Sequence, residues 1–162
     1  LHAQRRSRCR PVRGSGNGIV VAYVGDGNNV LNSLMCAASK AGLGMKVATP
    51  RGYEPKKKVA GVEFSNDPRK AAKGADILYT DVWVSMGHEK EAAKRAKAFK
   101  SFQLNDALVK LAEPGAVIMH CLPANRGEEI TDAVIDSKNS VVYDQAENRM
   151  HVEKAILLKL LA

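Results

Sequence analysis

Three short stretches of the 162-residue sequence carry side chains able to do chemistry. In Gly115-Ala-Val-Ile-Met119-His120-Cys121-Leu122-Pro123 an apolar run ends abruptly in an imidazole, a thiol and a proline. Pro123 has no N–H for a ladder hydrogen bond, so a strand must stop there and the chain must turn away. Ligands of open α/β sheets bind at the carboxyl ends of strands, so a thiol at that point could meet a substrate. The structural alternative is a buried cysteine beside a capping histidine. In Asp81-Val-Trp83-Val-Ser85-Met86-Gly87 a carboxylate and a hydroxyl stand four residues apart, with backbone N–H groups near Gly87. That set suits the ammonium and carboxylate of one small ligand, although Trp83 could equally make the stretch a packing loop. In Gly25-Asp26-Gly27-Asn28-Asn29-Val30 two amides stand where a helix begins, a place that favours anions such as a carboxylate. Both could instead merely cap and turn.

These residues need strands and helices to bring them together. Ile19 to Val24 is a β-branched run, and Val30 to Ala41 then repeats apolar residues at helical spacing until Gly42 to Gly44 stop it. Met45 to Ala48 reads as a second strand, Val62 to Phe64 as a short third, and Asp76 to Thr80 as a fourth. Asn66 or Asp67 caps a helix that has Pro68 at its first position. Glu89 to Phe99 and Asn105 to Ala112 read as helices before the strand that ends at His120. A short helix near Thr131 to Ile135, a strand Ser140 to Tyr143 and a last helix from about Ala146 to Leu161 complete the pattern. Such alternation predicts a three-layer, Rossmann-like α/β domain with a mostly parallel sheet of four or five strands. The connection from Ala48 to Val62 is close to the ~12-residue minimum for a parallel crossover, and Lys56, Lys57 and Lys58 leave little apolar surface for a covering helix.

Composition excludes some classes. Hydrophobic content of 45% and charged content of 26% fit a globular chain. No apolar run approaches the ~20 residues of a membrane span. Cys9, Cys36 and Cys121 are few, odd in number and widely spaced, which argues against a disulfide framework and for a cytoplasmic setting. The formal charge of +8 suggests an acidic partner, but Arg5, Arg6, Arg8, Arg10 and Arg13 supply most of it. Without those five, 20 basic residues face 17 acidic ones. The basic signal belongs to residues 1–18, read as a disordered leader ahead of a domain spanning 19–162, and no nucleic-acid or membrane partner is expected. Gly25-x-Gly27-x-x-Val30 lacks the third glycine of a dinucleotide fingerprint, and Thr49-Pro50 replace the acidic residue that would hold a ribose. No cofactor and no metal are expected.

Taken together and in this order, Asp26-Gly-Asn-Asn29, Asp81-x-x-x-Ser85-Met86-Gly87, His120-Cys-Leu-Pro123 and Gln145-Ala-Glu147-Asn148-Arg149 resemble the ornithine carbamoyltransferases of the aspartate/ornithine carbamoyltransferase family. The resemblance runs from Val20 to Leu161 and covers only that family's carboxyl-terminal, ornithine-binding half; the Ser-Thr-Arg-Thr-Arg phosphate motif is absent. It implies transfer of a carbamoyl group from carbamoyl phosphate to L-ornithine, giving citrulline for arginine biosynthesis, and a fragment inactive by itself. It implies that Asn29 and the Met86 backbone hold the ornithine carboxylate, and that Asp81 and Ser85 hold the α-ammonium. Cys121 and the Leu122 carbonyl would flank the carbamoyl group and the attacking δ-amine, within a thiolate–carboxylate environment formed with Asp81. Arg149 and His120 would donate to the developing oxyanion. The implied partners are a missing amino-terminal carbamoyl-phosphate domain, against which the last helix would pack, and in the complete protein a homotrimer. Alternatives are a carbamoyltransferase for putrescine or N-acetylornithine, or a non-catalytic amino-acid-binding module.

Overall fold

A computed structural model describes residues 18–85, 87 and 89–161. The basic leader falls on residues outside that set, apart from Gly18, and so does Met86. Strands β1 (Val20–Val24), β2 (Gly44–Ala48), β3 (Val62–Ser65), β4 (Ile77–Thr80) and β5 (Val117–His120) form one sheet in the order β3-β2-β1-β4-β5. All four pairings are parallel, with Val24 opposite both Ala48 and Thr80, and Thr80 opposite His120. The chain leaves β1 toward β2 on one side and reaches β4 on the other, so the order reverses between β1 and β4. The crevice above that reversal is where open α/β sheets bind ligands.

Alternation along the strands divides the core in two. Val21, Tyr23, Met45, Val47 and Tyr79 face α1 (Asn29–Lys40) and pack on its Leu31, Met35 and Ala38. Ala22, Val24, Leu78 and Ile118 face the other way, toward Trp83, Phe99, Phe102, Leu108, Val134 and Ile135. That second layer comes from α2 (Pro68–Ala72), α3 (Ala92–Phe99), α4 (Asp106–Val109), α5 (Asp132–Ile135) and the loops between them. Each fully buried Leu or Met contributes about 1.5–3 kcal/mol of transfer free energy.

Local expectations change at Ser140 to Tyr143 and over Asn105 to Ala112. The strand expected at Ser140 to Tyr143 is a single bridge, Ser140 opposite Ile118, and α6 (Val142–Leu161) starts at once. Residues 139–141 serve that edge at Ile118: the Ile118 N–H donates to the Asn139 carbonyl and the Val141 N–H to the Ile118 carbonyl. The helix expected over Asn105 to Ala112 keeps α-helical form only to Val109, then tightens into turns in which Leu111 and Ala112 donate three residues back. The β2–β3 crossover is a true parallel connection without a helix. Asn66 holds it, donating from Nδ2 to the Thr49 carbonyl at 2.9 Å and to Glu54 at 3.0 Å.

Among the described residues no helix is long and apolar enough to cross a membrane. Only Val142 of α6 is buried, whereas Val152, Ile156, Leu157, Leu158, Leu160 and Leu161 stand exposed, Leu161 at 83%. The apolar face read from the sequence is real and uncovered.

Candidate functional site

Three strand ends converge on one carboxylate. Asp81, the first residue beyond β4, is buried. Its Oδ1 accepts the Cys121 thiol at 2.8 Å and the Val82 N–H at 2.8 Å; its Oδ2 accepts the Asn28 side-chain amide at 2.7 Å. Cys121 follows β5, and Asn28 ends the loop after β1, so parallel register alone brings the three together. Asn28 also caps α1, its Oδ1 accepting the Leu31 N–H at 3.1 Å. One side chain therefore fixes the start of a helix and the orientation of Asp81.

Burial, and then the hydrogen bond and negative charge of Asp81, push the Cys121 thiol up to about 12. This corrects the expected thiolate: the sulfur is a protonated donor, because ionising it would place two anions side by side. Tyr79, on the same side of the sheet, is likewise held at about 12, by burial first and then by Cys121. Tyr23 is raised by burial and by Asp81, and its hydroxyl donates to the Asp26 carbonyl at 3.0 Å.

His120 is fully buried, and both its ring nitrogens are engaged. Nδ1 accepts the Leu122 N–H at 2.9 Å, so the proton sits on Nε2 and points to Glu129 at 3.1 Å. This corrects the expectation that His120 donates to an oxyanion, since neither nitrogen has a donor to spare. The ring instead folds the chain back on itself at Leu122, whose φ is +52°, a left-handed conformation that branched residues rarely adopt. Glu129, also fully buried, accepts the Asn125 N–H at 2.7 Å and so ties the loop after Pro123 to the same ring.

The remaining sequence-derived residues are spread around this centre. Ser85 is half-buried in the loop after β4, and Asn29 is exposed in the first turn of α1, one residue beyond the amide that touches Asp81. Arg149 lies on α6 with its side chain 81% exposed, its Nε 2.8 Å from Glu153. The structure thus brings Asp81, Cys121 and Asn28 into contact, keeps His120 and Leu122 directly behind them, and leaves Arg149 at the surface.

Sequence reasoning missed two supports. Arg95, in the charged helix α3, is buried: Nη1 meets Asp26 at 2.9 Å and the Trp83 carbonyl at 2.9 Å, and its guanidinium covers the Tyr53 ring at 4.9 Å. One residue thereby clamps the loop after β1, the loop after β4 and the β2–β3 connection. No periodicity could reveal it. Glu129 was also missed; a carboxylate nine residues beyond His120 has no distinguishing spacing signal.

The family model for the aspartate/ornithine carbamoyltransferase Asp/Orn-binding domain matches residues 17–160. The ornithine carbamoyltransferase of Pyrococcus abyssi is 55% identical over 161 residues, which cover 92% of this chain and 51% of that relative. The anabolic ornithine carbamoyltransferase of Pyrococcus furiosus is 55% identical over 157 residues, 90% of this chain and 50% of that protein. Among solved structures, ornithine carbamoyltransferase from P. furiosus superposes with a TM-score of 0.82 at 56% identity, over 89% of this chain and 50% of that one. The Thermus thermophilus enzyme gives 0.81 at 51% identity, over 90% of this chain and 49% of that one. The chain spans about half the length of the curated relatives it matches.

Proposed function

The chain belongs to the aspartate/ornithine carbamoyltransferase family, and from that premise we propose that residues 19–162 are the ornithine-binding domain of an ornithine carbamoyltransferase, acting on L-ornithine and carbamoyl phosphate. The observation that carries this reading is the buried Asp81 carboxylate at the sheet reversal, held between the Asn28 amide and the Cys121 thiol. A buried anion with uncharged donors is an incomplete pair, and a substrate ammonium completes it. Ser85 adds an acceptor for that ammonium. The N-terminus of α1 at Asn29, with the Met86 backbone, suits the carboxylate of the same amino acid.

The δ-amine of ornithine must be neutral before its nitrogen attacks, and free amines of this kind hold their proton to a pH of about 10.4. The attack forms a C–N bond at the carbamoyl carbon and breaks the bond to the phosphate oxygen, which leaves with the electron pair and takes up the proton that the nitrogen sheds. In this reading Cys121, whose one proton is donated to Asp81, orients the amine and the carbamoyl group through its neutral sulfur, with the Leu122 carbonyl beside it, and is neither nucleophile nor base. Arg149 polarises the carbamoyl oxygen after leaving Glu153. His120 acts through Leu122 and Cys121, not on the substrate. The phosphate needs clustered cations from an amino-terminal domain, which the exposed face of α6 would meet; the complete protein is read as a cytoplasmic homotrimer serving arginine biosynthesis.

The test is calorimetric titration with L-ornithine, followed by an assay of citrulline formation by this chain alone and after mixing with an amino-terminal half that carries the phosphate motif. Ornithine binding without turnover, and turnover on mixing, is the expected result. Robust turnover by the chain alone would sink the assignment of half a site, and absence of ornithine binding would sink the substrate.

A further inference from the structure

β5 is the outermost strand on its side of the sheet, so its outward N–H and C=O groups need partners from elsewhere. The segment 139–141 serves Ile118 and stops there. The next outward donor is the His120 N–H, immediately before Cys121. It is met by a side chain: Gln145 Oε1 accepts it at 3.2 Å. The other end of the same amide donates from Nε2 to the Tyr79 hydroxyl at 3.1 Å. Gln145 lies in the first turn of α6 and is half-buried, while the helix beyond it stands exposed. A single amide thus joins the base of α6 to the ends of β4 and β5, on the side where Tyr79, Met119 and Cys121 pack together.

We propose that Gln145 is a positioning residue for the reaction, locking the end of β5 so that Cys121 stays on Asp81, and tying that geometry to the seating of the last helix. The proposal rests on the reading of Asp81 and Cys121 as the ornithine side of the site. Its logic is mechanical. The His120 side chain is pinned by Glu129 and by the Leu122 N–H, but its backbone N–H has no strand beside it. Without the amide, residues 120–121 are free to move outward, and a small movement breaks a 2.8 Å contact between Cys121 and Asp81. Arg149 stands one helical turn beyond Gln145, on the same face, so the same anchor sets where that guanidinium starts from. A partner that grips the exposed part of α6 is felt at Cys121 through this amide.

The experiment compares the chain with its Gln145→Leu and Gln145→Glu variants. Gln145→Leu keeps the bulk and removes both hydrogen bonds. Gln145→Glu keeps an acceptor for the His120 N–H and can take the Tyr79 hydroxyl as a donor. Peptide-resolved alkylation by iodoacetamide reads Cys121, with Cys36 on the exposed face of α1 as the internal control. Amide hydrogen exchange reads residue 120. In Gln145→Leu, Cys121 alkylation and exchange at His120 should each rise ~5- to 10-fold, the scale of one lost net hydrogen bond, with Cys36 unchanged. Gln145→Glu should return both toward the parent. Unchanged Cys121 and His120 in Gln145→Leu, or an equal rise at Cys36 that Gln145→Glu does not reverse, would overturn the proposal; the latter would mean a general loosening. Calorimetry with L-ornithine keeps the two readings apart. If the parent chain fails to bind ornithine, the substrate assignment falls, while the alkylation and exchange results still decide the role of Gln145.

Discussion

Asp81 has three donors on its two oxygens, and they are not equivalent. The Val82 N–H is backbone and permanent, whereas the Asn28 amide and the Cys121 thiol are uncharged side chains that a ligand cation can join or displace. Asp81→Asn should therefore weaken L-ornithine binding by ~1.5–3 kcal/mol, the scale of a hydrogen bond to a charged group. Cys121→Ser should cost far less, because a hydroxyl still donates to Asp81 and the residue faces the reacting end; calorimetry on the two variants checks the order, and equal losses would undo the division of roles. The thiol also makes a prediction about pH. Its pKa is 9.0 in an unperturbed chain and about 12 here, so the unfolded state releases the proton first. The contribution of the protonated thiol to stability is complete below about 9 and is lost as pH rises through about 12. Tyr79 acts in the same direction, from 10.0 to about 12. Denaturant midpoints should fall over this alkaline window, and Cys121→Ala should flatten the fall.

At the level of elements, the loops around the site depend on close backbone packing. Gly27 donates to the Tyr53 carbonyl at 2.9 Å, and a Cβ at this position would run into that oxygen and lie 2.5 Å from the Pro55 nitrogen. Gly27→Ala should cost at least ~1–3 kcal/mol in thermal or denaturant unfolding, because the obstacle is backbone on a loop without a helix to give way. The Arg95 clamp predicts a second loss. Arg95→Leu removes a guanidinium from the buried Asp26 carboxylate and from the Trp83 carbonyl, and should destabilise by ~3 kcal/mol, toward the lower end for breaking a buried ion pair. Such a loss should appear in chemical denaturation and be accompanied by weaker ornithine binding, since Asp26 and Trp83 lie in the loops that carry Asn28 and Ser85. A loss of stability with unchanged binding would limit Arg95 to the core.

For the whole molecule, α6 is the feature that the domain by itself does not explain. A 20-residue helix with one buried residue gains little from packing on the sheet, and its Leu157, Leu158, Leu160 and Leu161 remain in solvent. Leu157→Ser with Leu161→Ser should leave the denaturant midpoint of this chain within ~0.5 kcal/mol of the parent, as surface substitutions do. The same pair should abolish recovery of citrulline formation on mixing with the amino-terminal half. Recovery at parental levels would show that the helix is not the face that half uses.

Much of this was written in the residue order. The β-branched runs separated by amphipathic stretches determined a parallel α/β sheet, because burial on both faces and helical periodicity are local patterns. The position of Pro123 after His120-Cys121 determined that a thiol stands at a strand end. Asp81 and Cys121 could be named from type and placement, since ligands gather at strand ends. What the order of residues could not decide was which side chains meet at that place. Asn28 rather than Asn29 touches Asp81 because the helix cap, not the composition of the turn, sets the direction of each amide. The protonation of Cys121 depends on burial beside Asp81, forty residues away in the chain. His120 read as a donor because its neighbours are reactive; only the packed structure engages its second nitrogen, through a glutamate with no signal of its own. Ser140 to Tyr143 has the composition of a strand, yet only Ser140 makes a bridge and α6 begins at Val142, because the edge of β5 has room for one bridge and a side-chain amide, not for another strand. Local propensity chooses among elements, but hydrogen-bond partners distant in sequence choose which atoms face each other, and that choice exists only once the sheet has closed.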